Sequence, residues 1–227
     1  EVEDITTICG GLNINIGTLN KNTIPSMFLA GKKANALGHI VLLDPVGAGA
    51  SRLRTDTANR LMQEVRFDAV RGNISEIKTL CTGSGSTKGV DADAVDAVTE
   101  ANLDDGVQLV KTFAQRAGCI IAVTGAIDLV SDGERCWCIR NGRAEMSRIT
   151  GTGCQLSALM TAFLVANPDH KLAAAAAAVC MMGLAGEIGW ANMQPGDGNS
   201  TYRNRIIDAI FNMTGDALEK GAKYELR

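Results

Sequence analysis

The sequence predicts an α/β protein of three layers, with a mainly parallel sheet flanked by helices. Short apolar runs bounded by Gly, Asp or Pro recur over the first two thirds of the chain, and helical patterns alternate with them. Only helical patterns follow Arg140, so we expect those helices to cover the finished sheet. Alternating strands and helices indicate βαβ units around a parallel sheet. At 227 residues, we expect one domain over 1–227.

The strand predictions rest on apolar runs that are too short for buried helices. They are Leu12–Ile16, His39–Asp44, Phe67–Val70, Cys119–Thr124, Ile127–Val130 and Arg135–Ile139.

The helix predictions fall into two groups. Helices between the strands are Pro25–Leu37, Thr55–Val65, Ser75–Leu80 and Val95–Ala117, and the later ones are Gly153–Ala166, His170–Trp190 and Tyr202–Lys220. Two segments rich in small and polar residues, Thr82–Gly89 and Gln194–Ser200, are predicted loops. The alanine-rich stretch Leu172–Gly189 favours a buried helix over a membrane span, because alanine is weakly hydrophobic and Glu187 interrupts the run.

Composition argues against several classes of protein. The net charge is -3, from 25 acidic and 22 basic residues, which argues against a nucleic-acid partner. The seven cysteines include no CxxC pair, so we expect reduced thiols and a cytoplasmic location. With only two histidines, a Cys/His metal site is not expected. The acidic start of the chain lacks the basic and apolar regions of a signal peptide.

Two glycines precede a predicted helix in the segment Gly151-Thr152-Gly153-Cys154. Glycines let the backbone turn its free N–H groups toward one point, at the positive end of the helix dipole, which suits a transferring phosphoryl group. The same position favours the thiolate of Cys154, which makes it a candidate to accept a proton from a substrate hydroxyl. The alternatives are the start of a helix with no ligand, and a cysteine packed as a small apolar side chain.

Asp44 follows an apolar strand and precedes a glycine-rich turn. Ligands of open α/β sheets bind at the carboxyl ends of strands, so Asp44 is a candidate to face magnesium and phosphate. An Asp before Pro is also an ordinary turn residue. Thr124 ends another strand, before a predicted hairpin, where its hydroxyl group can meet a nucleotide phosphate; alone, this signal is weak.

Arg71, Asn73 and Glu76 follow the strand Phe67–Val70. Arginine pairs with phosphate oxygens, and a carboxylate holds Mg²⁺ directly or through water. Asn73 and Glu76 also have the spacing of a capping box at the start of a helix. Capping and function are compatible here.

These segments, in this order and at these separations, resemble the ribokinase-like superfamily and, within it, the hydroxyethylthiazole kinases of the thiamin pathway. The matching phrases are Asn15-Ile16-Gly17-Thr18, Asp44-Pro45-Val46-Gly47-Ala48, Arg71-Gly72-Asn73-x-x-Glu76 and Thr150-Gly151-Thr152-Gly153-Cys154. Cys154 discriminates, because most of the superfamily has aspartate there whereas thiazole kinases have cysteine.

The resemblance implies a fold, two cofactors and roles for individual residues. It implies a ribokinase-like fold and the use of ATP and Mg²⁺ to phosphorylate the hydroxyethyl group of 4-methyl-5-(2-hydroxyethyl)thiazole. Asp44 and Glu76 would handle the metal and its waters, supported by Asn73, and Arg71 and Thr124 would contact ATP. Gly151, Thr152 and Gly153 would form the anion cradle, with Gly151 touching the thiazole. Cys154 would be the general base.

The resemblance also concerns what surrounds the chain. Family members normally begin with a further segment that starts the sheet and supplies substrate contacts, so 1–227 is expected to be a kinase domain without it. Some eukaryotic members are fused behind a thiamin-phosphate synthase domain. The family is typically trimeric, which implies a homotrimer or a larger homo-oligomer.

Three alternatives remain open from the sequence. A kinase for hydroxymethylpyrimidine or pyridoxal, or a hydro-lyase that repairs hydrated nicotinamide cofactors, would share the fold but be expected to have aspartate in place of Cys154. A non-catalytic ligand-binding homologue would have no need for all of Asp44, Arg71, Asn73 and Glu76.

Overall fold

A computed structural model describes residues 1–82 and 97–227. In this part of the chain the strands are β1 Gly11–Asn15, β2 Ile40–Asp44, β3 Ala69–Asn73, β4 Ile120–Thr124, β5 Asp128–Ser131, β6 Cys136–Ile139 and β7 Tyr224–Leu226. The α-helices are α1 Val2–Ile8, α2 Thr23–Leu37, α3 Arg52–Glu64, α4 Ile74–Thr82, α5 Leu103–Ala117, α6 Thr152–Ala166, α7 Lys171–Ala191, α8 Asn199–Phe211 and α9 Gly215–Gly221. Short 3₁₀ helices cover Glu100–Asn102, Ala144–Arg148 and Pro168–His170.

The seven strands form one sheet in chain order, from β1 to β7. The pairings from β1 to β4 are parallel, and those from β4 to β7 are antiparallel. The predicted strands therefore exist, and the sheet is mixed, with its parallel half first. Since parallel strands end at the same edge, Asn15, Asp44, Asn73 and Thr124, the last residues of β1 to β4, lie along one edge of the sheet.

Helices cover both faces of the sheet, as the three-layer prediction requires. Alternation along the strands divides their apolar side chains between two cores. In β2, for example, Val41 and Leu43 pack on the face covered by helices α2 to α5, whereas Leu42 faces α6, α7 and α8. The alanine-rich helix α7 lies in the second core. Together with the preceding 3₁₀ turn it is long and apolar enough to span a membrane, but 72% of its most apolar window is buried in the protein.

Several boundaries and elements differ from the prediction. The expectation of helices alone after Arg140 is wrong, because β7 pairs with β6; three residues are too few to show a strand period. The predicted helix Tyr202–Lys220 is two helices, α8 and α9, since the Thr214 side chain caps a new helix by accepting from the Ala217 N–H at 3.2 Å.

Other differences lie nearer the amino terminus. Helix α1 was not predicted. Arg71 lies inside β3 rather than after it, because that strand runs on to Asn73. The predicted loop Thr82–Gly89 lies, apart from Thr82, outside the described residues, as do the first two residues of the predicted helix Val95–Ala117.

Candidate active site

The candidate site lies where the carboxyl ends of β1 to β4 meet the first turn of α6. Gly151 precedes α6 in the left-handed region, with a φ of 95°, which glycine adopts without strain. No side chain caps the helix, and the first intrahelical bond runs from the Gln155 N–H to the Gly151 carbonyl at 2.9 Å. The preceding N–H groups of Thr152, Gly153 and Cys154 have no intrahelical acceptor. This is the predicted anion cradle.

Arg71 lies directly against this cradle. A Cβ atom added to Gly153 would be 2.7 Å from both Nη atoms of Arg71, so only glycine allows the guanidinium to lie this close. Arg71 donates to the Thr124 hydroxyl oxygen at 2.8 Å, and its Nη1 is 3.6 Å from Asp44 Oδ1. The arginine is 9% exposed and its buried Nε has no partner. A fixed positive charge therefore lies beside free backbone donors.

Asp44 is fully buried at the end of β2. Its Oδ2 accepts from Asn15 Nδ2 at 2.8 Å and from the Ser157 hydroxyl at 2.9 Å, while Oδ1 has no hydrogen-bond partner. Burial raises the pKa of the Asp44 carboxyl, against the opposing effects of the Arg71 charge and of the neighbouring polar side chains of Ser157, Cys154 and Asn15. Asp44 is thus part of a polar network, whereas an ordinary turn residue would need no such partners.

Cys154 is exposed, in contrast to the packed, apolar alternative. Its Sγ accepts a hydrogen bond from Asn15 Nδ2 at 3.1 Å. The thiol therefore lies in the network of Asp44 and at the first turn of α6, where it can reach a ligand in the anion cradle. All seven cysteines lie in the described residues, and all are free thiols.

Glu76 and Asn73 form the predicted capping box at the start of α4. The Asn73 N–H donates to Glu76 Oε2 and the Glu76 N–H to Asn73 Oδ1, both at 2.8 Å. Glu76 Oε1 also accepts from the Gly47 N–H at 2.8 Å, which ties the loop after β2 to α4. Burial raises the pKa of Glu76, opposed by these hydrogen bonds. Both carboxylate oxygens already hold a backbone donor, so Glu76 offers only its remaining lone pairs to a metal-bound water.

A cleft of about 900 Å³ begins at this cradle. Arg71, Thr124, Thr152 and Gly153 are among the residues that line it. Apolar and small residues also line it, namely Met146, Leu156, Val179, Met182 and Gly183. Apolar side chains with a few polar groups are typical of a site for a small molecule.

The cleft does not include every predicted site residue. Asp44, Asn73, Glu76, Gly151 and Cys154 are not among its lining residues. Arg71, which lines the cleft, is the link between them, since its Nη1 is 3.6 Å from Asp44 Oδ1. Among the described residues, no three His, Cys, Asp or Glu side chains are grouped as a metal centre would require.

Four residues near the site were not assigned roles from the sequence, namely Asn15, Arg54, Asp128 and Ser157. Ser157 is one helical turn after Cys154, a spacing that puts both on one face of α6. Asn15 was noted only as part of a motif. Arg54 donates to the carbonyls of Val46 and Gly17 at 3.0 Å each, holding two loops together, and no sequence signal indicated it.

Asp128 is the fourth of these residues, at the start of β5 in the wall of the cleft. Its Oδ1 accepts from the Gly125 N–H at 2.8 Å, which closes the turn after Thr124. Burial raises the pKa of the Asp128 carboxyl to about 7, opposed by Gly125 and by the Arg71 charge.

Comparison with known proteins identifies the family. Residues 1–216 match the hydroxyethylthiazole kinase family. The chain belongs to that family. Hydroxyethylthiazole kinases of Clostridium acetobutylicum and Clostridium beijerinckii are 55% and 45% identical to it, each over 99% of this chain and over 82% and 80% of their own lengths. The predicted kinase assignment is confirmed.

Solved structures agree with this assignment. The hydroxyethylthiazole kinase protein of Pyrococcus horikoshii OT3 matches with a TM-score of 0.85 at 29% identity, covering 100% of this chain and 80% of that one. Pyridoxal kinase of Staphylococcus aureus, in complex with AMP-PCP and pyridoxal, matches with a TM-score of 0.60 at 16% identity, covering 100% of this chain and 76% of that one. The second likeness shows the fold alone, and the ribokinase-like prediction is confirmed.

Proposed function

We propose that this member of the hydroxyethylthiazole kinase family transfers the γ-phosphoryl group of ATP to the hydroxyethyl oxygen of 4-methyl-5-(2-hydroxyethyl)thiazole, in thiamin biosynthesis or salvage. The observation that carries the proposal is the position of Cys154. Its thiol lies at the open first turn of α6, bonded to Asn15, in the place where other ribokinase-like enzymes are expected to have aspartate. Relatives of this chain are named hydroxyethylthiazole kinases.

The residues of the chain have separate tasks in an in-line transfer. The N–H groups of Thr152, Gly153 and Cys154 hold the oxygens of the transferring group, and Arg71 balances the charge that develops on them. Cys154 Sγ takes the proton from the attacking hydroxyl group. Thr124 holds Arg71 against the cradle through the 2.8 Å hydrogen bond.

Magnesium fits one feature of this site. When bound, Mg²⁺ neutralises phosphate charge and helps to align the reacting oxygens. Asp44 Oδ1 is buried without a partner, and a hard cation or its water satisfies such an oxygen. Glu76 has both oxygens bonded to backbone N–H groups, so we assign it a contact through water. Asn73 supports Glu76 through the capping box.

The experiment is to measure ADP release with the thiazole alcohol, hydroxymethylpyrimidine and pyridoxal, each with Mg²⁺ and with excess EDTA. We expect turnover with the thiazole alcohol and with neither of the other two alcohols, and we expect this turnover to stop in EDTA. Equal rates with pyridoxal would overturn the substrate assignment. Turnover that persists in EDTA would overturn the assignment of the metal.

We also infer that the protein acts in the cytoplasm as a homotrimer or a larger homo-oligomer. Free cysteine thiols suit a reducing compartment. Ile8 and Phe211 are 82% and 88% exposed, and contact between copies would remove such side chains from water. Light scattering tests the assembly: a mass of three or more chains is expected, and a monomer at micromolar concentration would contradict it.

A further inference from the structure

The Asn15 side chain joins the two chemically distinct groups of the site. Asn15 ends β1 and is paired in register with Asp44, the last residue of β2. Its Nδ2 donates to Asp44 Oδ2 at 2.8 Å and to Cys154 Sγ at 3.1 Å. Its Oδ1 accepts the Gly17 N–H at 2.8 Å. The Gly17 N–H group needs an oxygen acceptor, so only one of the two flipped orientations of the Asn15 amide satisfies all three contacts.

This orientation has a consequence for the Asp44 carboxylate. Asn15 and Ser157 both donate to Oδ2, so that oxygen has two partners. Oδ1 has none and is buried, with Arg71 Nη1 3.6 Å away. Without Asn15, one of the two bonds that fix the rotation of the carboxylate would be lost, and either oxygen would be free to turn toward the ligand.

We infer that Asn15 is a positioning residue for phosphoryl transfer, whose amide holds the Cys154 thiol and the Asp44 carboxylate in one arrangement and leaves Asp44 Oδ1 to meet the ligand. The inference rests on the proposed function, because it concerns the same reaction. Asn15 acts through its two neighbours and needs no contact with the substrate. Its removal should therefore affect turnover more than nucleotide binding, since Arg71 and Thr124 line the cleft whereas the Asn15 side chain is hydrogen-bonded to Asp44, Cys154 and Gly17.

Asn15→Asp is the sharpest test. Aspartate has the shape of asparagine and keeps an oxygen for the Gly17 N–H, so the substitution replaces only the donor that faces Asp44 and Cys154. Asn204→Asp, at an exposed position of α8, is the matched control for the added charge. We expect kcat of the Asn15 variant to fall about 100-fold, as for misplacement of reacting groups by about 1 Å. We expect KM for ATP to change less than threefold.

A double-mutant cycle separates positioning from a general structural role. If Asn15 acts through Cys154, then Asn15→Asp should reduce kcat much less in the Cys154→Ala background than in the wild type. Equal reductions in both backgrounds would overturn the inference, as would a kcat within threefold of the Asn204→Asp control. A rise in KM for ATP in proportion to the loss of kcat would also contradict it.

A crystal structure of Asn15→Asp tests the inference without reference to activity. The expected result is a rotated Asp44 carboxylate and a displaced Cys154 Sγ, with Arg71 and Thr124 unmoved. Unchanged Asp44 and Cys154 side chains would overturn the inference even if the enzyme proved to be a thiazole kinase. If the wild type does not phosphorylate thiazole, the proposed function fails, and this structure still decides whether Asn15 positions the two groups. Asn15→Leu serves as a second variant if the aspartate protein does not fold.

Discussion

Replacing Gly153 with alanine tests the close approach of Arg71 to the anion cradle. The new Cβ would be 2.7 Å from both Nη atoms, whereas ordinary contact begins at 3.4 Å, so the guanidinium must move by about 0.7 Å (3.4 minus 2.7). Arg71 is 9% exposed and bonded to Thr124, so it has little room to move without losing that bond. A displacement on the order of 1 Å at a reacting centre costs about 100-fold in rate. We therefore expect kcat/KM to fall about 10- to 100-fold, or roughly 1.4 to 2.7 kcal/mol.

The loss of rate should occur without loss of stability. Alanine is favoured over glycine in a helix by about 1 kcal/mol, which offsets the roughly 1 kcal/mol lost with the Arg71–Thr124 hydrogen bond, so the melting temperature should change little. Gly215→Ala is the matched control, because Gly215 is also in a helix and a Cβ there meets nothing within 4 Å. The assay is steady-state ADP release with ATP and the thiazole alcohol, together with thermal unfolding.

Two results would contradict a displacement of Arg71 by the added methyl group. One is a kcat/KM for Gly153→Ala within twofold of the Gly215→Ala control. The other comes from the Arg71→Ala background, where the added methyl group has no guanidinium to displace. If Gly153→Ala reduced kcat/KM as strongly there as in the wild type, the effect would not act through Arg71.

Three further predictions concern other parts of the site. Cys154→Ala should lower kcat about 100-fold while ATP binding by calorimetry is retained, and an unchanged rate would exclude the role of base. Asp128→Asn should raise the free energy of unfolding more at high pH than at low pH. In the wild type the folded-state pKa of about 7 lies above the unfolded value of about 3.9, so the wild-type protein loses stability as pH rises through that window. Urea unfolding should show a gain larger at pH 8 than at pH 5, by up to about 2 kcal/mol; equal gains would contradict a raised pKa for this half-buried carboxyl. Gly183→Ala should lower the free energy of unfolding by about 2 kcal/mol and raise KM for ATP. The reason is that the new Cβ would be 2.7 Å from the Asn141 backbone in the wall of the cleft. An unchanged free energy of unfolding would show that the backbone at Asn141 moves aside without cost.

The sheet and its two helical layers were predictable because their patterns are local. A continuous apolar run such as the one ending at Asp44 indicates a buried strand, and the antiparallel pair after Thr124 follows from a short turn between two apolar runs. Strand β7 was not predictable, because its three residues depend on pairing with β6 rather than on a period of their own. The break between α8 and α9 depends on one Thr214 cap inside a long helical pattern.

The sequence singled out most residues of the candidate site one by one, but not the contacts between them. Cys154, Asp44 and Arg71 follow from strand ends and from the glycines before a helix. Their mutual contacts depend on which residues the fold brings together from distant parts of the sequence, as with Asn15 and Cys154, which are 139 residues apart. Asparagine in a strand carries no signal of such a role. The sequence left open whether Glu76 caps a helix or holds a metal. In the structure both of its carboxylate oxygens accept hydrogen bonds from backbone N–H groups, and one of these bonds belongs to the capping box.

The most direct test of the proposed function is identification of the phosphorylated product by ³¹P nuclear magnetic resonance, with the thiazole alcohol, hydroxymethylpyrimidine and pyridoxal present together at equal concentration with Mg-ATP. We expect a single new phosphomonoester, that of the thiazole alcohol, and its formation about 100-fold more slowly by the Cys154→Ala protein. Phosphorylation of either competitor at a comparable rate, or ADP formed with no phosphomonoester, would contradict it.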